Sequence, residues 1–295
     1  MIDLRQLRQF VAVAEELHFG RAALRLHMTQ PPLTQAVHSL EAALEVQLFE
    51  RSKRSVALTP SGEALLMRAL PLLRAAEDLP RAVKAAAEGL TGHLRLAFVS
   101  TVAYGPLPSL LSGFRENNPD VSLQLREATL DVQLAAFYAD EVDAGFIVHA
   151  PGTAPLGFAT LTVLAEPLVL ALPINHAAAA TGHTLCFEDI ASDPLVIFPR
   201  NIAPSLFDSV LSFYHVNGIT PRIRQEAIQM QTIVSLVSAG MGVAWVPEAL
   251  TQLQRPGVVY RHVQGMPLTS ETSLIWNKQA PPVVERFISH VRNAV

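Results

Sequence analysis

Gln30, Thr34, Gln35 and His38 follow one another at spacings of four, one and three, so on one helix they fall toward a common side. Amides, a hydroxyl and an imidazole can all read base edges in a DNA major groove. Pro31 and Pro32 stand at the head of the same stretch and are grouped with it. Farther on, Arg51, Lys53 and Arg54 crowd into one short turn, a chemistry suited to phosphate contacts. Taken alone, the polar face fits a solvated helix as well as it fits a groove.

A second set lies in the later part of the chain. Ser100 and Thr101 follow one strand-like run, Thr129 follows another, and Arg200, Asn201 and Ser205 follow a third. In open α/β sheets ligands bind beyond the carboxyl ends of strands, and helix starts there favour anions. Phe98, Phe146, Ile147, Phe198 and Pro204 could form an apolar wall, with Gln229 and Thr232 contributed by an opposing helix. From the residues alone, helix capping is the commoner use of such Ser and Thr.

Enzymatic chemistry finds little support. The chain has no G-x-S-x-G elbow and no phosphate-cradling P-loop, and "GMG" at 240–242 follows a helix instead of a strand. His176, His183 and Cys186 lack the second Cys/His pair of a zinc site, so no metal and no cofactor is expected. "HAAAATGH" at 176–183 reads as a surface loop.

The 295 residues are 50% apolar and 16% charged, which suits a globular chain long enough for two or three compact units. No apolar run approaches the roughly 18 residues of a membrane span. A single cysteine excludes an internal disulfide framework, and the first residues lack the pattern of a secretory signal. Together these point to the cytoplasm. Residues 1–90 carry 11 Lys/Arg against 10 Asp/Glu, while the remainder carries 11 against 16. Any polyanion should therefore meet the first part.

Three segments must position these groups. Leu4, Leu7, Val11, Ala14 and Leu17 predict a helix over 4–17, and Gly20 opens a short second one. Leu33, Val37, Leu40 and Leu44 form the buried stripe of a third, with Thr29 as its N-cap and the prolines in its first turn. The restriction that proline places on its predecessor puts regular helix from Pro32. Two short helices joined by a tight turn make a helix-turn-helix unit, followed by a basic hairpin. Next, Leu65, Ala69, Leu72, Ala76, Leu79, Val83, Ala86 and Leu90 keep a heptad seam, the pattern of a helix that pairs with a second chain. Pro71 and Pro80 predict bends in it. From Gly92, strand-like runs at 94–99, 121–127, 143–148, 166–172, 194–198 and 242–246 alternate with helices near 104–116, 130–139, 203–216 and 229–239. That alternation implies a parallel sheet in an α/β domain.

The N-terminal run "LRQFVAVAEELHFGRAALRLHMTQPPLTQAVHSLEAALEVQLFERSKRSVALTPSGEALL", followed by "GHLRLAFV", resembles the LysR-type transcriptional regulators. "DAGFIV", "VIFPRNIAPSLFDSV", "AGMGVAWVP" and "NKQAPPVVERFISHV" are similar to the branch that controls aromatic-compound catabolism. The resemblance implies an α + α/β chain. A winged helix-turn-helix would occupy 1–59 and a dimerisation linker helix with hinge 60–91. A two-lobed α/β effector domain like the periplasmic binding proteins would fill 92–295, with lobe I at 92–161 and 268–295 and lobe II at 162–267. It further implies double-stranded DNA as a partner, a small carboxylate or aromatic-derived effector between the lobes, and homodimers that assemble into tetramers. An activator would also contact RNA polymerase.

The chain departs from the family pattern in places. Gln35 stands where many members carry Arg, which changes an expected guanine contact to one suiting adenine. Glu45 replaces a helix-ending Gly, Gly20 a Ser/Thr cap, and Val148 an Arg that would mark a second anionic site. Two other readings remain: a regulator independent of any effector, and a cytoplasmic solute-binding α/β protein that uses its N-terminus only to dimerise.

Overall fold

The computed structural model describes residues 2–51, 55–180, 184–265 and 268–295. The chain divides into two compact units, Met1–Lys84 and Ala85–Val295.

In the first unit, α1 (Leu4–Glu16) begins at a reciprocal cap. Asp3 Oδ1 accepts the Gln6 N–H at 2.7 Å, and Gln6 Oε1 accepts the Asp3 N–H at 3.2 Å. Leu7, Val11 and Ala14 are buried with Phe10 and Val13. Leu4 and Leu17 are exposed, against the expected stripe, and Leu17 has already turned left-handed at the helix end (φ 47°). α2 (Phe19–Arg25) starts one residue ahead of Gly20, because His18 is its cap. The His18 Nδ1 accepts the N–H groups of Gly20 and Arg21 at 3.0 and 3.2 Å.

α3 (Gln30–Leu44) starts at Gln30, ahead of Pro32. Thr29 holds the N-cap position but makes no capping hydrogen bond there. The reason is chemical: a cap side chain accepts from the second or third helical N–H, and those positions are Pro31 and Pro32. The prolines remove the donors, so the cap has nothing to satisfy. Glu45 supplies the left-handed ending (φ 57°) otherwise favoured by Gly. Leu33, Val37 and Leu40 are buried against α1 and α2.

β1 (Phe49–Arg51) and β2 (Val56–Leu58) pair antiparallel, with Phe49 opposite Leu58. Lys53 and Arg54 lie outside the described residues. α4 (Pro60–Ala87) continues through both Pro71 and Pro80. Its seam divides in two. Ala69, with Leu73 from outside the expected register, is buried in the core of its own unit. Leu72, Leu79 and Val83 stay 51, 60 and 67% exposed.

The second unit runs β3 (Gly92–Phe98), α5 (Leu107–Asn117), β4 (Val121–Glu127), α6 (Leu130–Tyr138), β5 (Ala144–His149) and β6 (Ala159–Pro173). It continues with β7 (Leu195–Ile197), α7 (Pro204–Val216), β8 (Ile223–Glu226), α8 (Met230–Ser238), β9 (Ala244–Pro247), β10 (Val258–Arg261), β11 (Thr269–Trp276) and α9 (Pro282–Ala294). The main sheet has the order β10-β6-β11-β5-β3-β4, with β9 also on β6, and β7 pairs with β8 apart from it.

The expected parallel sheet is therefore mixed. Among the described strand pairs β3/β4, β3/β5 and β7/β8 are parallel, whereas β11 runs antiparallel to both β5 and β6. β6 pairs β11 over Ala159–Pro167, then β9 and β10 over Leu168–Pro173. One strand thus serves two lobes, and the change of partner falls at Pro167/Leu168 instead of residue 161. Near this change of partner the Leu168 N–H meets the Leu268 carbonyl at 2.7 Å. Of "HAAAATGH", residues 181–183 lie outside the described residues; before them Ala178 and Ala179 are buried, and His176 pairs with Asp193 at 3.0 Å.

Two residues beyond α4, Gly89 is buried at φ +66° against the start of α9. A Cβ there would stand 2.4 Å from the Pro282 carbonyl oxygen, and Arg286 Nε donates to the Glu88 carbonyl at 3.1 Å. Gly89→Ala should therefore cost about 1–3 kcal/mol through strain and overlap together. Urea unfolding of the full chain measures it, and a neutral result would contradict this packing.

Candidate nucleic-acid interface and ligand cleft

The exposed side of α3 carries Gln30, Gln35 and His38, while Thr34 is half-buried and donates its hydroxyl to the Gln30 carbonyl at 3.1 Å. Gln35 makes no hydrogen bond among the described residues, so both ends of its amide are available. Pro31 and Pro32 are exposed at the head of the face.

His38 and Arg51 are already engaged. Arg51 Nη2 meets Glu41 Oε2 at 2.8 Å, and Nη1 meets His38 Nε2 at 2.8 Å. A guanidinium can only donate, so His38 Nε2 accepts and its proton sits on Nδ1, facing Glu41 Oε2 at 3.4 Å. The Arg51 guanidinium also lies 4.8 Å from the centre of the Phe19 ring. The second Glu41 oxygen accepts the N–H groups of Leu48 and Phe49 at 2.9 and 3.3 Å. Glu41, which the sequence did not single out, thus ties α3 to the hairpin, and Arg51 ties both to α2. A carboxylate at i+3 from an exposed His was the available signal.

In the second unit, a cleft lies between the two parts that β6 joins. The lobe of β3, β4 and β5 lines it with Ser100, Thr101, Thr129, Val148 and Glu127, and the lobe of α7 and α8 with Phe198, Leu206, Gln229 and Met230. Three polar ties cross it. Ser100 Oγ donates to Gln229 Oε1 at 2.7 Å, Gln231 Nε2 donates to the Tyr104 hydroxyl at 3.0 Å, and the Ala150 N–H donates to Ser205 Oγ at 3.2 Å. The void leaves about 60 Å³ for the centres of water-sized spheres. That is on the order of four waters and below the roughly 150 Å³ of a cavity that accepts benzene.

Of the expected cleft residues, Ser100, Thr101, Thr129, Phe198 and Gln229 line this cavity. The others do not. Phe146 points to α9, with its ring 6.2 Å from that of Phe287, and Ile147 faces the opposite side of the sheet beside Phe137. The two-residue period of the strand carries the Phe146 side on to Val148, which does line the cavity. Arg200 is exposed and held by Asp208 through two contacts of 2.7 Å; the pair raises the arginine and lowers the aspartate from their ordinary values. Asn201, Pro204, Ser205 and Thr232 also lie outside the lining. Glu127 and Leu130 were missed, although Glu127 ends β4 and obeys the strand-end rule that selected Thr129.

At the hinge, Glu166 is buried, and desolvation raises its carboxyl against the opposing hydrogen bond from the Ala249 N–H. Among the described residues no group of three His, Cys, Asp or Glu could hold a metal, and no helix is long and apolar enough to cross a membrane.

A winged helix-turn-helix joined to a two-lobed α/β domain with a ligand cleft is the build of a ligand-responsive DNA-binding regulator. Residues 4–63 match the helix-turn-helix model of the bacterial LysR family, and residues 87–295 match the LysR substrate-binding domain. The chain belongs to the LysR family of transcriptional regulators. It is 46% identical over 97% of its length to "HTH-type transcriptional regulator IlvR" of Caulobacter vibrioides, covering 96% of that protein. It is 35% identical to AlsR of Bacillus subtilis, over 99% of this chain and 96% of that one. Among solved structures, full-length CbnR complexed with its target DNA matches at a TM-score of 0.85 and 31% identity, over 99% of both chains. These relatives are named regulators, so the chain is not an enzyme.

Glu41→Ala removes the acceptor of two backbone N–H groups and the partner of Arg51. It should destabilise the first unit by about 2–3 kcal/mol, read from urea unfolding. A change below about 0.5 kcal/mol, typical of surface substitutions, would contradict the clamp.

Proposed function

We propose that α3 reads operator DNA through Gln30, Thr34 and Gln35, and that a small effector in the cleft biases the arrangement of the lobes. The free amide of Gln35 at the centre of an exposed α3 face carries the DNA part of this reading. Phosphate contacts fall to the hairpin, with Lys53 and Arg54 as the basic residues, while Arg51 holds the hairpin in place. Two copies pair along the open part of α4, where Leu72, Leu79 and Val83 face outward. Assembly of dimers into tetramers, contact with RNA polymerase in an activator, and a cytoplasmic location complete the reading.

Effector control is supported by a cleft whose two walls come from different lobes and meet through three hydrogen bonds. An effector shifts the lobes only by its differential affinity for their two arrangements. An aromatic acid, as the likeness to the aromatic-catabolism branch suggests, would need the lobes farther apart than they stand here.

Affinity for duplex DNA should fall steeply with rising salt. Gln35→Ala should alter the preferred sequence at one or two positions, by about 1–3 kcal/mol at the affected base pair. Lys53→Ala should weaken all sequences alike. Binding-site selection on randomised duplexes separates these outcomes, and an unchanged preference for Gln35→Ala would remove that residue from the reading face.

A further inference from the structure

The charge pattern of the cleft narrows the ligand. Glu127 is the one charged side chain in the lining, and it makes no ion pair or hydrogen bond among the described residues. Arg200, the cation nearest in sequence to the lining residues Phe198 and Ile202, stands outside the lining and is occupied by Asp208. Glu127 is exposed at the edge of the cleft, and a ligand that is only an anion would bring a like charge toward it with no cation in the lining to offset it.

The cleft also holds donors that await an acceptor. Gln229 Oε1 is taken by Ser100 at 2.7 Å, which leaves the Gln229 amide N–H groups without a partner among the described residues. The hydroxyl of Thr101, a residue only 7% exposed, likewise makes no hydrogen bond among the described residues. The remaining wall is aliphatic and aromatic, through Val148, Phe198, Leu206 and Met230. The lining therefore offers one carboxylate for a cation, unpartnered donors for an acceptor, and an apolar wall for a short hydrocarbon.

We propose that the cleft takes a small zwitterion, an α-amino acid with a short aliphatic side chain, whose ammonium group is received by Glu127. The carboxylate accepts from Thr101 and from the Gln229 amide, and the side chain packs on Val148 and Leu206. Room for on the order of four waters favours the smallest such ligands, and valine or leucine would need the lobes farther apart than they stand here. The proposal rests on the cleft being the effector site.

The test uses the full chain, with melting shifts and calorimetry. L-alanine, L-valine and L-leucine are compared with 3-methylbutanoate and 2-methylpropylamine, which are valine without its amine and without its carboxylate. The expected result is that at least one amino acid raises the melting temperature, while neither truncated compound does so at equal concentration. Glu127→Gln should weaken that amino acid at least tenfold and gain affinity for 3-methylbutanoate. Equal binding of L-valine and 3-methylbutanoate by the natural protein would overturn the proposal, as would no binding by any of the three amino acids. The comparison within the natural protein stands even if the variant fails to fold. Ala203→Phe, which fills the lining from the start of α7, separates the two levels. A carboxylic acid that binds the natural protein and is lost in Ala203→Phe overturns the zwitterion and keeps the cleft. Amino-acid binding that survives Ala203→Phe overturns the cleft itself, whereas salt-sensitive DNA binding stands apart from either outcome.

Discussion

The antiparallel pairing of β11 with β6 is the constraint on which the larger unit depends. Over Ala159–Pro167 it holds β6 in the lobe of β3, β4 and β5, and beyond Leu168 the same strand becomes the partner of β9 and β10. Because backbone hydrogen bonds continue along β6, the lobes share one rigid element while the rest of each is free to pack by itself. The cleft is what this arrangement leaves open. Its walls come from strand ends and helix starts of two lobes, so a small change at the crossing moves one wall against the other.

That geometry explains why the cleft is mainly apolar with a few polar points. Side chains alternate along each strand, so the terminal residues divide between core and cavity: Phe146 supports α9, and Val148 reaches the lining. Glu127 ends β4 where the strand leaves the sheet, which lets a carboxylate stand at the cavity while remaining in reach of solvent. Ser100 and Gln229 then close the space with one of the three hydrogen bonds that cross between the lobes. A ligand competing for these atoms meets groups already oriented, which lowers the ordering cost of binding.

Much of this was legible from local pattern. The first three helices, the hairpin, the long α4 and the strands from β3 to β6 follow from periodicities of 3.6 and 2 over a few residues. Strand direction did not, because β11 takes its place between β5 and β6 through contacts far apart in sequence. β8, β10, β11 and α9 went unmarked for a related reason: β8 is uniformly exposed and β10 only half-buried, so neither shows a clear alternation. The two expected arginines that the structure describes share one feature. Arg200 and Arg51 looked like free cations, yet each found a carboxylate elsewhere, Asp208 eight residues on and Glu41 ten residues back. Residue type sets what a group can do, and its partner decides whether it is available to do it.

The chain just beyond α4 is packed against the same sheet that lines the cleft. Gly89 lets the chain turn at positive φ directly against Pro282, and Arg286 holds the Glu88 carbonyl. α9, in turn, packs on the sheet through Phe287, whose ring meets both Phe114 of α5 and Phe146 of β5. Val148 lies two residues beyond Phe146 on the same strand and lines the cavity. A continuous packed path therefore joins a cleft residue to the last turn of the helix proposed to pair two subunits. Close-packed rings transmit displacement because they have little free volume in which to absorb it.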